Sequence, residues 1–341
     1  MKRILCGNII MPVKPICVVR GTGSIGQRHL SILQKSGAVY PLAFPVRPQR
    51  RAELKAAGYD VICEWKEAVS AGAEYAIIAT DTSRHHLDVI DAGKAGLNVL
   101  VEKPMAHGVD SASSCLLAIR SLDRKMWVGC YYRFQKALNN VREKLPVLGR
   151  INSVRIECQS YLPNWRPDRP YRESYSARPD EGGVLRDLIH EIDYACWLFG
   201  WPENVQAKIQ ATRQLGIESE DAADMLWETG NGTIVSVRLD YLSRPDRRYL
   251  RAYGEHGAIE WDGFGGTVKM ELAGKNIDTQ CFVQERNEII LAQDMAFVRA
   301  AGGQCDLRLA TGEDGVRALA ICDAAREASR LRREVKVNYL K

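Results

Sequence analysis

The chain has 341 residues, 46% of them hydrophobic and 26% charged, with a formal net charge of +5. A soluble chain of this length exceeds what one core usually holds, so two domains are expected. No run of Lys and Arg reaches five residues and no apolar run approaches a membrane span, which argues against nucleic-acid and membrane partners.

The ten cysteines are dispersed, with no C-x-x-C pair and no spacing that joins them to the six histidines as metal ligands. They read as free thiols in a reducing cytoplasm, and no metal is expected. At the N-terminus Lys2 and Arg3 precede an apolar run that Asn8 and Pro12 cut short, so the segment does not read as a secretory leader. Met11 is an alternative start.

From Pro15 an apolar strand leads into Gly21, Gly23 and Gly26, with Ser24 and Ile25 opening a helix. In G-x-G-x-x-G spacing the first glycine makes a tight turn, the second admits a pyrophosphate and the third packs helix on strand. The helix start then offers free N–H groups to phosphate, so a dinucleotide site is expected. Arg20 ends the strand, where it reaches either the phosphates or solvent. The second strand, Tyr40 to Val46, lacks the terminal acid that would hold a free ribose 2′-hydroxyl. Arg47, Arg50 and Arg51 follow instead, favouring NADP over NAD unless they are a solvated helix start.

Strands at Asp60–Ile62, Tyr75–Thr80, Asn98–Glu102 and Trp127–Cys130 alternate with helices at Glu64–Ser70, Ser83–Ala95 and Ser111–Arg120. That alternation builds a doubly wound parallel α/β sheet, whose ligands gather outside the carboxyl ends of its strands, as at Thr80–His85 and Glu102–Pro104. After a helix at Lys136–Lys144 the pattern changes. Strands are expected at Ile151–Ser160, Asn204–Thr212, Ala223–Glu228, Thr233–Tyr241, Tyr249–Tyr253, Ala258–Trp261, Val268–Leu272 and Gln280–Val283. They form a mostly antiparallel open sheet in a second, α+β domain, closed by helices at Asn287–Ala301 and Thr311–Leu331 and a strand at Val335–Val337. The boundary is drawn between 1–130 and 131–341.

The stretch GGVLRDLIHEIDYACWLFG, Gly182 to Gly200, reads as one helix with opposed faces. Leu185, Leu188, Ile189, Ile192, Cys196 and Phe199 gather on one side, and Arg186, Asp187, His190, Asp193 and Trp197 on the other. Asp187 and Asp193 flank His190 at i,i+3 spacing, so either carboxylate can orient its imidazole as a general base. A solvated amphipathic helix has the same pattern. Before it, the proline-rich loop Tyr161–Tyr175 interleaves Arg166, Arg169 and Arg172 with Trp165, Tyr171 and Tyr175. Guanidinium forks and aromatic faces suit an anionic sugar, or a contact with another subunit.

GTGSIG at Gly21, VEKP at Val101, GCYYRF at Gly129 and GGVLRDLIHEID at Gly182, in this order, make the chain resemble the glucose–fructose oxidoreductase, inositol dehydrogenase and rhizopine catabolism (Gfo/Idh/MocA) family. The resemblance covers nearly the whole length. It implies a Rossmann domain followed by a substrate-binding and oligomerisation domain, and a nicotinamide-dependent oxidoreductase. Its reaction is hydride transfer to or from a secondary alcohol carbon of a sugar, sugar acid, cyclitol or nucleotide sugar. Lys103 takes the place of a lysine reaching the substrate hydroxyl and nicotinamide ribose, and Pro104 that of a proline following a cis bond. His190 corresponds to the family histidine and serves as base. The family aspartate commonly stands four residues before that histidine, where this chain has Arg186, so its role passes to Asp187. Thr80, His85 and Glu102 are expected at the cofactor, and Arg133 among the substrate contacts. A homodimer or homotetramer is implied. The same resemblance admits a cofactor-retaining glycosidase or sugar transhydrogenase, or a non-catalytic sugar sensor.

Overall fold

The computed structural model describes residues 14–167 and 170–339. Met11 with its preceding segment, and the loop residue Arg169, lie outside the described residues.

The first half alternates strand and helix as expected: β1 Ile16–Arg20, α1 Ser24–Ser36, β2 Tyr40–Phe44, α2 Arg50–Ala56, β3 Asp60–Val61, α3 Trp65–Ala71, β4 Tyr75–Ile78, α4 Thr82–Lys94, β5 Asn98–Glu102, α5 Val109–Ser121 and β6 Met126–Gly129. The second half runs α6 Lys136–Lys144, β7 Ile151–Tyr161, α7 Val184–Asp187, α8 Ile189–Phe199, β8 Asn204–Gln210, β9 Ala222–Glu228, β10 Ile234–Asp240, β11 Leu242–Gly254, β12 Gly257–Asp262, β13 Thr267–Leu272, β14 Asp278–Cys281, α9 Arg286–Ala301, β15 Ala310–Thr311, α10 Gly312–Leu331 and β16 Val335–Lys336.

β1 to β6 pair in parallel in the order β6-β5-β4-β1-β2-β3, and β15 adds an antiparallel edge beside β6. Both faces of this sheet are covered, so its strands are continuous apolar runs: every residue of Tyr75–Ile78 is buried. α1 packs on α9, and α10 packs on α5 and β6. Ala310–Thr311 gave no strand signal, being only two residues long; it is a strand because Trp127 and Val128 offer it an edge. Thr311 then caps α10 through the Asp314 amide, in a reciprocal capping box.

The second sheet has nine strands in the order β14-β13-β12-β11-β7-β10-β9-β8-β16. All its pairs are antiparallel except β7 with β10. Alternation in β10 is the period expected of a half-covered strand: Val235, Val237 and Leu239 are buried, while Ile234 stays exposed. α8 lies against the covered face, on β7 and β10, and presents its other side to the first domain.

The expected single helix from Gly182 to Gly200 is two. Leu188, at φ −99° and ψ 29°, separates α7 from α8, and α8 ends at Gly200 with φ 101°. Nor is it a surface helix: Asp187, His190, Glu191 and Asp193 are all buried, because one face meets the second sheet and the other meets the carboxyl end of the first.

Candidate active site

The glycine turn has the geometry a dinucleotide needs. Gly21 has φ +91°, and a side chain there would meet the Ala79 carbonyl oxygen at 2.5 Å. A side chain at Gly26 would meet the Gly21 carbonyl oxygen at 2.0 Å, so the close packing of α1 on β1 requires glycine there. A side chain at Gly23 would meet nothing within 4 Å, which leaves that side open for a pyrophosphate. No side chain caps the N-terminus of α1, so the N–H groups around Ser24 and Ile25 are available to an anion. Beside Gly21 the buried Thr80 hydroxyl has no partner among the described residues. These residues fit a bound dinucleotide.

Arg20 does not point at phosphates or solvent. Its guanidinium bonds Asp88 at 3.1 Å and the Pro45 carbonyl, and lies over the Phe44 ring at 4.0 Å. Arg47 is exposed, Arg50 pairs with Glu53 one helical turn on, and the Arg51 Nε is buried without a partner.

Lys103 and Pro104 follow β5, joined by a cis bond as the resemblance implies. The Lys103 ammonium crosses to the second domain and donates to the Asp187 carbonyl at 2.6 Å. His190 lies beyond, its ring edge-on to Tyr131 at 4.6 Å and Tyr132 at 5.1 Å. Both ring nitrogens are buried and unpartnered. Burial, then the charges of Lys103 and Arg286, hold the imidazole well below its usual pKa, so it is neutral.

The expected carboxylate–imidazole bond is absent: neither Asp187 nor Asp193 holds His190. The break at Leu188 takes Asp187 off the helical register that would have stacked it under the ring. Its Oδ2 accepts from the Tyr241 hydroxyl at 2.6 Å, and its Oδ1 is buried without a partner. Asp193 is bound by Arg133 through two bonds of 2.9 and 2.6 Å. That corrects the expectation for Arg133 too. Its third contact, at 3.1 Å, goes to Asp314, so this buried guanidinium is a strut tying α8 to α10 and has no fork left for substrate.

Two residues expected at the cofactor also make contacts within the protein. His85 braces backbone, with Nδ1 at 2.8 Å from the Pro104 carbonyl and Nε2 at 3.0 Å from that of Thr80. Burial lowers its pKa below the usual value. Glu102 is likewise committed, its Oε1 to His29 at 3.1 Å and its Oε2 to the Lys103 amide at 3.3 Å.

Sequence reasoning missed His29, which is fully buried on α1 between Glu102 and Asp294, the latter at 2.7 Å. Burial alone would lower its pKa; the charges and bonds of the two carboxylates outweigh that and raise it to about 10. This imidazolium pins the phosphate-binding helix to the start of the Lys103 turn and to α9. It also engages the Glu102 carboxylate, which leaves the adjacent Lys103 ammonium without that partner.

In the loop, Trp165 donates to the Ser160 hydroxyl at 2.9 Å and stands edge-on to Tyr241 at 5.3 Å, joining the site through Tyr241. Arg166 is exposed. Arg172 is turned away, its Nε on the Leu215 carbonyl at 3.1 Å and its guanidinium over Tyr171. Behind His190, Glu191 pairs with Arg248 at 2.7 Å. Among the described residues no three His, Cys, Asp or Glu side chains gather as metal ligands, and no described helix is long and apolar enough to cross a membrane.

The geometry is that of a nicotinamide-dependent oxidoreductase, and comparison with known proteins places the chain. Residues 16–130 match the model of the oxidoreductase family with an NAD-binding Rossmann fold, and residues 144–260 match a GFO/IDH/MocA C-terminal domain. The chain belongs to the Gfo/Idh/MocA oxidoreductase family. It is 24% identical to inositol 2-dehydrogenase of Rhizobium meliloti, over 93% of this chain and 97% of that one. It is 26% identical to the rhizopine catabolism protein MocA of Rhizobium meliloti, over 90% and 92%. Among solved structures, a levoglucosan dehydrogenase in complex with NADH superposes with a TM-score of 0.85 at 19% identity, covering 96% of this chain and 100% of that one. The WlbA dehydrogenase of Bordetella pertussis, in complex with NADH and UDP-GlcNAcA, gives 0.78 at 22% identity, over 96% and 100%.

Proposed function

We propose that this chain transfers a hydride to or from a secondary alcohol carbon of a sugar, sugar acid, cyclitol or nucleotide sugar. The observation that carries the reading is the buried, neutral His190, both of whose ring nitrogens are left for a ligand, beside the cation of Lys103. A bound nicotinamide supplies the hydride chemistry. Gly21, Gly23, Ser24, Ile25, Gly26 and Thr80 are the residues that would hold the dinucleotide.

In the oxidation direction His190 takes the hydroxyl proton, and Lys103 stabilises alkoxide character on the same oxygen. Asp187 acts from the side: its carbonyl aims the Lys103 ammonium, Tyr241 fixes its carboxylate, and its free Oδ1 can accept from a neighbouring substrate hydroxyl. Trp165 offers a ring face at the edge of this floor.

Arg47 and Arg51 support NADP as the preferred form, each free of an acidic partner among the described residues; the ratio of kcat/KM for NADP and NAD decides it. The half-covered second sheet exposes Leu226 and Ile234 on its outer face, which supports a homodimer or homotetramer built there in the cytoplasm. We also draw the domain boundary near residue 130. The test of the central reading is a panel of sugars, cyclitols and sugar acids with each cofactor, followed by reduced-nicotinamide absorbance. Turnover of a panel member is expected, and none on any would contradict the reading.

A further inference from the structure

We propose that the substrate carries an anionic group, a carboxylate or a phosphate, and that Arg28 and Arg286 bind it. The inference rests on the dehydrogenase reading above and deepens it.

Arg286 opens α9, and its guanidinium lies 5.5 Å from the centre of the Tyr131 ring, whose own centre is 4.6 Å from that of His190. Arg286 therefore stands beside the same Tyr131 ring on which His190 packs. Arg28, on α1, reaches across to the Asn287 side chain and so stands beside Arg286. Burial, then the like charge of Arg286, holds its guanidinium below the usual range. Two arginines side by side repel, and a protein normally places a carboxylate between them.

Here there is none. Among the described residues neither guanidinium makes an ion pair. Glu285 and Glu288 flank Arg286 at the start of α9, where the Glu288 side chain accepts from the Glu285 amide, and neither bonds Arg28 or Arg286. Glu191, the carboxylate beneath, is taken by Arg248 at 2.7 Å. Lys103 adds a third cation whose contact is a carbonyl. Two guanidiniums without an ion-pair partner among the described residues thus stand at this edge of the site, and planar forks match the oxygens of carboxylate or phosphate. The cofactor does not fill this role: its pyrophosphate belongs at Ser24 and Ile25, whereas Arg28 lies a turn further on, drawn toward α9 by Asn287. The loop arginines do not fill it either, since Arg172 is engaged elsewhere.

The experiment compares, on the full chain with saturating cofactor, a neutral sugar, its uronic acid and its phosphate ester, by initial rates and by thermal shift. Wild type is expected to favour one anionic form by about tenfold or more in kcat/KM, the scale of one charge-assisted contact, and which form gains identifies the group. R28Q and R286Q should each lower that preference about tenfold while the KM for cofactor stays within about twofold. Preference for the neutral sugar, or arginine variants that raise the cofactor KM instead, would overturn the inference and leave the dehydrogenase reading standing. If nothing turns over, the dehydrogenase reading fails first. Thermal shift then decides the anion site: stabilisation by the anionic sugar in wild type but not in R286Q upholds it, and equal stabilisation overturns it.

Discussion

Two imidazoles lie buried within the same domain interface, and their surroundings are opposite. His29 sits between two carboxylates at 2.7 and 3.1 Å, which raise its pKa to about 10. His190 has no partner for either nitrogen and faces two cations, and its pKa falls well below the usual value. Burial costs both the same kind of desolvation, so the difference lies in what was placed around them. A buried ring with every nitrogen satisfied is part of the frame. A buried ring with none satisfied is held for a molecule that comes and goes.

That contrast can be broken from either side. The largest effect expected is on the frame: His29→Leu leaves Glu102 and Asp294 facing each other unpaired, and should lower unfolding stability by about 3–5 kcal/mol in urea melts. A loss below about 1 kcal/mol would mean the triad is not an ionic brace. On the other side, His190→Ala and Lys103→Met should each cut turnover roughly a hundredfold or more with cofactor affinity near wild type, and cost less stability than His29→Leu. Unchanged turnover in both would remove the assignment of base and cation. A smaller loss, about tenfold in kcat/KM, is expected of Tyr241→Phe, which frees Asp187 Oδ2 without touching the reacting oxygen.

The same contrast appears in pH. His29 has a folded pKa of about 10 against an ordinary 6.5, so its stabilisation is complete below pH 6.5 and is lost as pH rises through 10. His190 has the reverse sign: its folded pKa is depressed, so stability falls as pH drops below 6.5, where the unfolded chain gains the proton first. Melts of His190→Ala should show a shallower acid-side slope, with the part due to buried His85 remaining, and keep the alkaline one. The acid limb of kcat/KM should also lie below pH 6.5, and Arg286→Gln should move it upward by removing one of the cations that depress His190.

Much of this was legible in the sequence, where signals are local. The glycine spacing, the VEKP turn, the GGVLRDLIHEID stretch and the periodic strands each lie within a dozen residues, and they pointed to the cofactor turn, Lys103 and His190. The other half of the site depends on contacts that no local pattern encodes. Glu102 and Asp294 meet His29 from 73 and 265 positions away, and Asp187 takes its partner from Tyr241. Spacing also misled where the backbone departs from regular geometry. Three residues between Asp187 and His190 stack two side chains only in an unbroken helix, and Leu188 breaks it. Arg133 misled differently: an arginine in a recognised motif looks like a ligand contact until Asp193 is found holding both arms of its fork.

Imidazole resonances followed by NMR between pH 4 and 11 test the contrast most directly, with His29→Gln and His190→Gln used to assign the two rings. The account predicts that one ring stays protonated until about pH 10 and the other stays neutral well below 6.5. Two rings titrating together near 6.5 would contradict it.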